Sequence, residues 1–173
     1  REERFRTIVT QVPGAVFRAN PFGKVDFISD AIEEVSGFPA AHFMRNGVGA
    51  WQDIVAPDDR RMQYRMIKDA VTNGRPYEIE YRIIDQNGIE RWVAERGQPQ
   101  YDEAGEFQWV DGLIADISER KNNEVRIEAL LAEQTAILEN VMFGVMFVRH
   151  RRIGSVNQRC EELFGYAPGE MLH

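Results

Sequence analysis

Three segments in the middle of the chain constrain its fold more than any other feature. "YEIEYRII" (77–84), "IERWVAER" (89–96) and "FQWVDGLIADI" (107–117) are rich in β-branched and aromatic residues, and "DQNG" (85–88) and "DEAGE" (102–106) separate them. The first alternates cleanly, which places Tyr77, Ile79, Tyr81 and Ile83 on one face. Turns this short join antiparallel neighbours, so the three segments form a meander.

The stretches before the meander supply the rest of one domain. "AVFRA" (15–19) and "KVDFIS" (24–29) flank "NPFG" and read as a hairpin. A short helical pattern follows from Asp30 to Met44, broken at Gly37, and "WQDIV" (51–55) suggests another helical turn. A longer helix is expected over Arg60–Asn73, capped by an aspartate of "PDD" and burying Met62, Met66, Ile67 and Ala70 before Asn73-Gly74 ends it. At the start of the chain, Phe5, Ile8, Val9 and Val12 have the spacing of an amphipathic helix that Pro13-Gly14 stops. Two strands, several helices and a three-strand meander make an α+β fold on one antiparallel sheet.

Bulk properties narrow the function. A chain of 173 residues holds one well-buried domain and part of another. The net charge of −7 argues against a general nucleic-acid binder, which needs a basic surface to neutralise phosphates. No apolar run approaches the roughly 20 residues of a membrane span. The single cysteine, Cys160, excludes an internal disulfide framework, and no secretory signal is visible. The expected location is therefore cytoplasmic, whether free or as part of a membrane-bound receptor. His42, His150 and His173 lack metal-ligand spacing. Asp58-Asp59 read as helix caps rather than catalytic carboxylates, so the chain is not expected to be an enzyme.

The beginning of the chain recurs about 128 residues later. "IVTQV" (8–12) matches "ILENV" (137–141), and "KVDFISDAIEEVSGF" (24–38) matches "RIGSVNQRCEELFGY" (152–166). Glu33, Glu34 and Gly37 thereby meet Glu161, Glu162 and Gly165, while Cys160 aligns with Ile32. A repeat of this length indicates tandem domains. The second copy runs only to its first short helix, and Val145, Met146, Phe147, Leu163 and Phe164 are expected to be exposed.

With these residues laid out, the chain strongly resembles a PAS domain with a C-terminal PAC motif. The matching pieces are "VDFISDAIEEVSGF", "IVAPDDR", "YEIEYRIIDQNGIERWV", "DEAGE" and "GLIADISERK", which together cover residues 12 to 121. The expected organisation is an N-terminal flanking helix (1–12), the PAS/PAC domain (13–118), a linker helix (119–136) and the first third of a second PAS domain (137–173). The resemblance implies a five-stranded antiparallel sheet with short helices and one long helix on one face. It also implies a sensory role within a larger signalling chain, often a histidine kinase or a cyclic-di-GMP cyclase or phosphodiesterase. Neither effector is in this sequence.

The family's exit motif, usually Asp-Ile-Thr, stands here as Asp116-Ile117-Ser118. Ser118 is expected to accept a bond from a free backbone N–H and start the linker helix without a loop. Asp116 is positioned to pair with Arg82 or Arg91. From Ser118 to Val141 a helix would reach about 36 Å. It reads either as a relay of movements in the last strand or as a passive spacer. Its apolar positions, Ile127, Leu131, Leu138 and Val141 among them, trace a weak heptad seam.

For the site, alternation and similarity to the flavin-lining strands of LOV relatives turn Ile79, Tyr81, Ile83, Val93, Glu95, Val110 and Ile114 inward. Met62 and Met66 are added from the long helix. Glu95 is the unusual member, because a carboxylate on an inner face needs partners, an altered pKa or a wet cavity. It reads as a polar anchor for a ligand, as half of a salt bridge with an arginine, or as solvent-facing if the register slips by one. Trp92 and Trp109 fall on the opposite face. The resemblance implies a covalent-flavin cysteine near 43–55 in photoactive relatives and a long-helix histidine in heme-binding ones, and this sequence has neither. The cofactor is thus unspecified, with a non-covalent small molecule the compatible choice. The expected partners are a second copy of the chain and an effector domain of the same polypeptide. The function expected is a ligand-sensing input module, with a ligand-free dimerisation and relay module as the alternative.

Overall fold

The computed structural model describes residues 13–172, so the expected flanking helix over 1–12 lies outside the described residues. The chain divides into two compact units, Arg1–Lys121 and Asn122–His173. In the first, β1 (Ala15–Ala19) and β2 (Val25–Ile28) form the hairpin. Three helices follow: α1 (Ile32–Ser36), α2 (Ala40–Ile54) and α3 (Pro57–Thr72). The meander is β3 (Tyr77–Ile84), β4 (Glu90–Tyr101) and β5 (Phe107–Asp116). All five strands make one antiparallel sheet in the order β2-β1-β5-β4-β3. The last strand in sequence is therefore the middle strand in space, and the chain leaves the sheet from its centre.

Side chains fix the turns. Asp85 accepts bonds from the N–H groups of Asn87 and Ile89, both at 2.9 Å, and Asp102 does the same for Ala104 and Glu106. Each aspartate thus closes its hairpin by satisfying backbone donors that the strands cannot reach. Alternation then sets the core: Tyr77, Ile79, Tyr81 and Ile83 are buried on β3, with Val93 on β4 and Val110 and Ile114 on β5. The helices supply the facing layer through Ile32, Phe43, Trp51, Ile54 and Ala70.

The long helix departs from expectation in start and phase. It begins at Pro57, whose missing N–H suits the first helical turn, and no side chain caps it. Asp58 and Asp59 lie inside that turn, where the helix dipole favours negative charge. Asp59 instead grips β3. It accepts from the Arg82 backbone N–H at 2.8 Å and from its guanidinium Nε and Nη2 at 2.9 and 2.8 Å. The inward stripe is Gln63, Ile67 and Ala70, spaced by four and three, with Met62 partly buried beside it. Met66 is 43% exposed and is corrected from an inward to an outward position. Its phase places it about 100° round the helix from Ile67.

Helix α4 (Ser118–Asn140) follows β5 and buries none of its side chains; Val125, Ile127, Leu130, Leu131 and Ile137 are all exposed. It runs four residues past the expected linker boundary. No helix among the described residues is long and apolar enough to cross a membrane.

The second unit repeats the opening of the first. Strands β6 (Met146–Arg149) and β7 (Arg152–Val156) pair antiparallel and lead into α5 (Gln158–Phe164). The aligned residues Ser29 and Asn157 do the same work. Ser29 Oγ accepts from the Val16 N–H at 3.0 Å, and Asn157 Oδ1 accepts from the Val145 N–H at 2.8 Å. Helices α1 and α5 both end on glycines in the left-handed conformation, Gly37 and Gly165. Cys160 is buried, as is its counterpart Ile32. Met146, Phe147, Leu163 and Phe164 are exposed, while Val145 is half-buried.

Candidate functional site: a cavity with a buried carboxylate, and the exit from the sheet

A cavity of about 100 Å³ lies between the sheet and the helices. One transverse row of the sheet makes room for it. Tyr77, Gly97, Gly112 and Phe17 stand side by side on β3, β4, β5 and β1. The two central positions carry no side chain, so the flanking rings fold over them. A Cβ on Gly97 would meet the Tyr77 ring at 2.2 Å, and one on Gly112 would meet Phe17 at 2.4 Å. Any larger residue there would displace a ring of the cavity wall.

Among the described residues, Glu95 is the one carboxyl group in the wall. It is 4% exposed, and among the described residues it has no arginine or lysine partner; its donors are neutral. Tyr77 Oη donates to Oε1 at 2.8 Å, Tyr81 Oη donates to Oε2, and the Gln63 amide also bonds it. Trp51 Nε1 donates to Tyr81 Oη at 2.8 Å, and Gln52 Nε2 donates to Gln63 Oε1 at 2.9 Å. No buried side-chain nitrogen or oxygen among the described residues lacks a partner. Burial pushes the Glu95 carboxyl above its ordinary range, and the tyrosines and Gln63 oppose this. Burial and the neighbouring carboxylate push both tyrosine hydroxyls well up, so they remain protonated donors.

Of the residues expected in the pocket, Glu95, Val110 and Ile114 line the cavity. Ile79, Tyr81, Ile83 and Val93 are buried on the same face but pack outside its wall. Met62 packs against the core, and Met66 is outside. Sequence reasoning did not select Phe17, Phe43, Trp51, Gln63 and Ile67, which do line it. The one local signal for Gln63 is its spacing of four and seven from Ile67 and Ala70, which puts it on their face of the helix.

The exit is built by a division of labour between Asp116 and Ser118. Asp116 Oδ1 accepts from the Ser118 N–H at 2.8 Å, so the aspartate satisfies the first free donor of α4. Ser118 Oγ turns back to the sheet and accepts from the Trp92 N–H at 2.9 Å, while Ile117 N–H donates to Trp92 O at 2.8 Å. The expected assignment of the cap to Ser118 is thus corrected: Ser118 extends the β4–β5 ladder by one rung into the helix. Asp116 also pairs with Arg91 at 3.3 Å, and Arg91 reaches Asp85 at 2.8 Å and the Glu34 carbonyl at 3.2 Å. Arg82, the other candidate partner, is held by Asp59 and Glu90. Glu80 of β3 receives Arg120 at 2.5 Å and Lys121 at 2.7 Å. On the outer face the tryptophans are covered. Lys121 Nζ lies 5.0 Å from the Trp92 ring centre and the Arg18 guanidinium 4.7 Å from that of Trp109.

The chain matches the PAS fold family over residues 25–114, and a second PAS-domain match covers 132–173. The chain belongs to the PAS family. It is 32% identical over 130 residues to a methyl sulfide methyltransferase-associated sensor of Methanosarcina acetivorans, covering 75% of this chain and 12% of that protein. It is 37% identical over 84 residues to a blue-light-activated histidine kinase of Brucella ovis, covering 49% of this chain and 16% of that one. The chain therefore spans less than a fifth of either relative's length. A solved sensory box histidine kinase/response regulator from Burkholderia thailandensis shares the fold, with a TM-score of 0.61 and 24% identity over 76% of this chain and 97% of that one.

Proposed function

We propose that residues 13–121 are a signal-sensing input module that takes a small molecule into the cavity and passes its effect through α4 to an effector of the same polypeptide, a histidine kinase or a cyclic-di-GMP enzyme. The observation that carries this reading is Glu95. A carboxylate without a countercharge in the wall of an apolar cavity is expensive to keep, and packing alone gives no reason for one at this position. Its strand, β4, is also the strand that Ser118 and Ile117 grip at the exit. A change at Glu95 thus lies three residues from the helix anchor at Trp92 along one strand. The sensor and kinase relatives support the signalling role. Catalysis belongs to the effector in this reading, and the exposed apolar positions of α4 serve a homodimer.

Mass spectrometry of the small molecules released when the purified protein is denatured, with an absorption spectrum of the native protein, tests the proposal. A compact organic molecule is expected. Release of heme or flavin would refute it, because a volume near 100 Å³ is well below the roughly 300–1,000 Å³ of pockets for larger ligands. The small volume and the complete bonding of Glu95 favour a second reading, a ligand-free dimerisation and relay module. Finding no released molecule and no stabilisation by any small solute would select it.

A further inference from the structure

We propose that the cavity selects small alkylated ammonium ions over neutral or anionic molecules of the same shape. This rests on the ligand-sensing reading and names the ligand's chemical class. Four aromatic side chains, Phe17 of β1, Phe43 and Trp51 of α2 and Tyr77 of β3, line one space with Glu95. Phe43 and Trp51 lie with ring centres 5.5 Å apart at a 58° tilt, so the rings present different faces and edges to their surroundings. Aromatic faces attract cations through their quadrupoles, and the attraction grows when water is excluded.

Glu95 supplies the second, independent feature. Among the described residues it is the only carboxyl group in the wall, and the groups that bond it are two phenols and an amide. Neutral donors spread the negative charge of a carboxylate without cancelling it. An entering cation would draw the carboxyl, raised by burial, into its ionised form and pair with it, whereas an entering carboxylate would oppose that ionisation in a low-dielectric site. The remaining wall is largely apolar, Val25, Ile67 and Val110 among it, and the Gln63 amide oxygen is already taken by Gln52, so little oxygen is left to replace a hydration shell. A metal ion or bare ammonium would therefore lose its water without compensation. Methyl groups on nitrogen remove that difficulty, because they spread the charge over an apolar surface that fits apolar walls. A volume of about 100 Å³ suits a compact ion rather than a ring system.

Calorimetric titration of the whole chain at constant ionic strength tests this with three probes of similar shape: tetramethylammonium, tert-butanol and pivalate. Tetramethylammonium is expected to bind at least about tenfold more tightly than tert-butanol, with no binding of pivalate. Glu95→Gln should abolish the preference for the cation while leaving tert-butanol unchanged, and Trp51→Leu should weaken the cation selectively. Tryptophan fluorescence of each variant confirms that it is folded. If Glu95→Gln does not fold, the comparison of the three probes on the unaltered protein still decides. Equal binding of tert-butanol and tetramethylammonium, or preference for pivalate, overturns the inference but leaves the ligand-sensing reading standing. So does release of a neutral or anionic molecule from the purified protein. Binding of none of the probes, with nothing released, overturns both.

Discussion

Replacing Tyr81 with phenylalanine removes one oxygen and breaks two buried bonds. The ring is fully buried, so its packing is retained and the change isolates the hydroxyl. That hydroxyl donates to Glu95 and accepts from Trp51 Nε1. A hydrogen bond to a charged group contributes about 1.5–3 kcal/mol, and a stranded buried donor costs about 1–3 kcal/mol. The two losses share one network and will not add fully, so a destabilisation of about 2–4 kcal/mol is expected. Tyr77→Phe breaks only the bond to Glu95, and about 1.5–3 kcal/mol is expected. Urea unfolding followed by tryptophan fluorescence reads this unit selectively, because Trp51, Trp92 and Trp109 all lie within Arg1–Lys121. With a slope of about 2 kcal/mol per molar, Tyr81→Phe should lower the midpoint by about 1–2 M at unchanged slope. A shift below about 0.3 M would refute the assignment of a dry, mutually dependent network around Glu95.

Other outcomes follow from the same geometry. Glu95 has its carboxyl raised by burial, so the folded chain holds its proton at pH values where the unfolded chain has released it. Its contribution to stability therefore falls as pH rises from the unfolded value near 4.5, and a Glu95→Gln variant should gain on the unaltered protein over that window. A pH-independent difference in urea midpoint would contradict this. Asp59, lowered by its bonds to Arg82, and Glu80, lowered by Lys121 and Arg120, act in the opposite sense. Their stabilisation is present above the ordinary carboxylate values and lost as pH falls through their folded ones, and Asp59→Asn should flatten the acid limb of the stability curve. At the exit, Ser118→Ala should speed amide exchange at Trp92, whereas Asp116→Ala should speed it at Ser118, each with a loss of about 1 kcal/mol. The reverse pattern would show that the two roles are assigned wrongly. Gly97→Val should destabilise by more than about 2 kcal/mol and raise the fluorescence of the displaced Tyr77 region, since its Cβ would overlap that ring. A neutral effect would mean that the Tyr77–Gly97 contact is absent.

What could be read before folding, and what could not, divides along physical lines. A strand's two-residue period allows only two answers, so the alternation of 77–84 placed Tyr77, Ile79, Tyr81 and Ile83 inside, and Glu95 with them. A helix has no such binary rule. On α3, hydrophobicity pointed to Met62 and Met66, but the inward position went to Gln63, which is buried because Gln52 and Glu95 complete its bonds. Those partners lie 11 and 32 positions away, and nothing local announces them. The same holds for Asp59, whose local reading as a cap lost to Arg82 across 23 residues. It holds again for the rings of Phe17 and Tyr77, each of which covers the glycine beside it on the neighbouring strand, a pairing that depends on strand register. At Asp116-Ile117-Ser118 the motif was legible, but the side chains exchanged roles. The aspartate's acceptor reaches the helix donor two residues on, while the serine faces back to the neighbouring strand.

The proposed relay depends on the sheet passing into α4 without a hinge. Hydrogen exchange resolved to single amides tests this most directly, at Trp92, Ile117 and Ser118 in the unaltered protein. All three should be protected to a degree comparable with Tyr81 and Val93 in the paired strands. If they exchange as fast as the turn at Asp102–Glu106, the helix is not anchored to the sheet, and a signal arising at the cavity has no stiff path out.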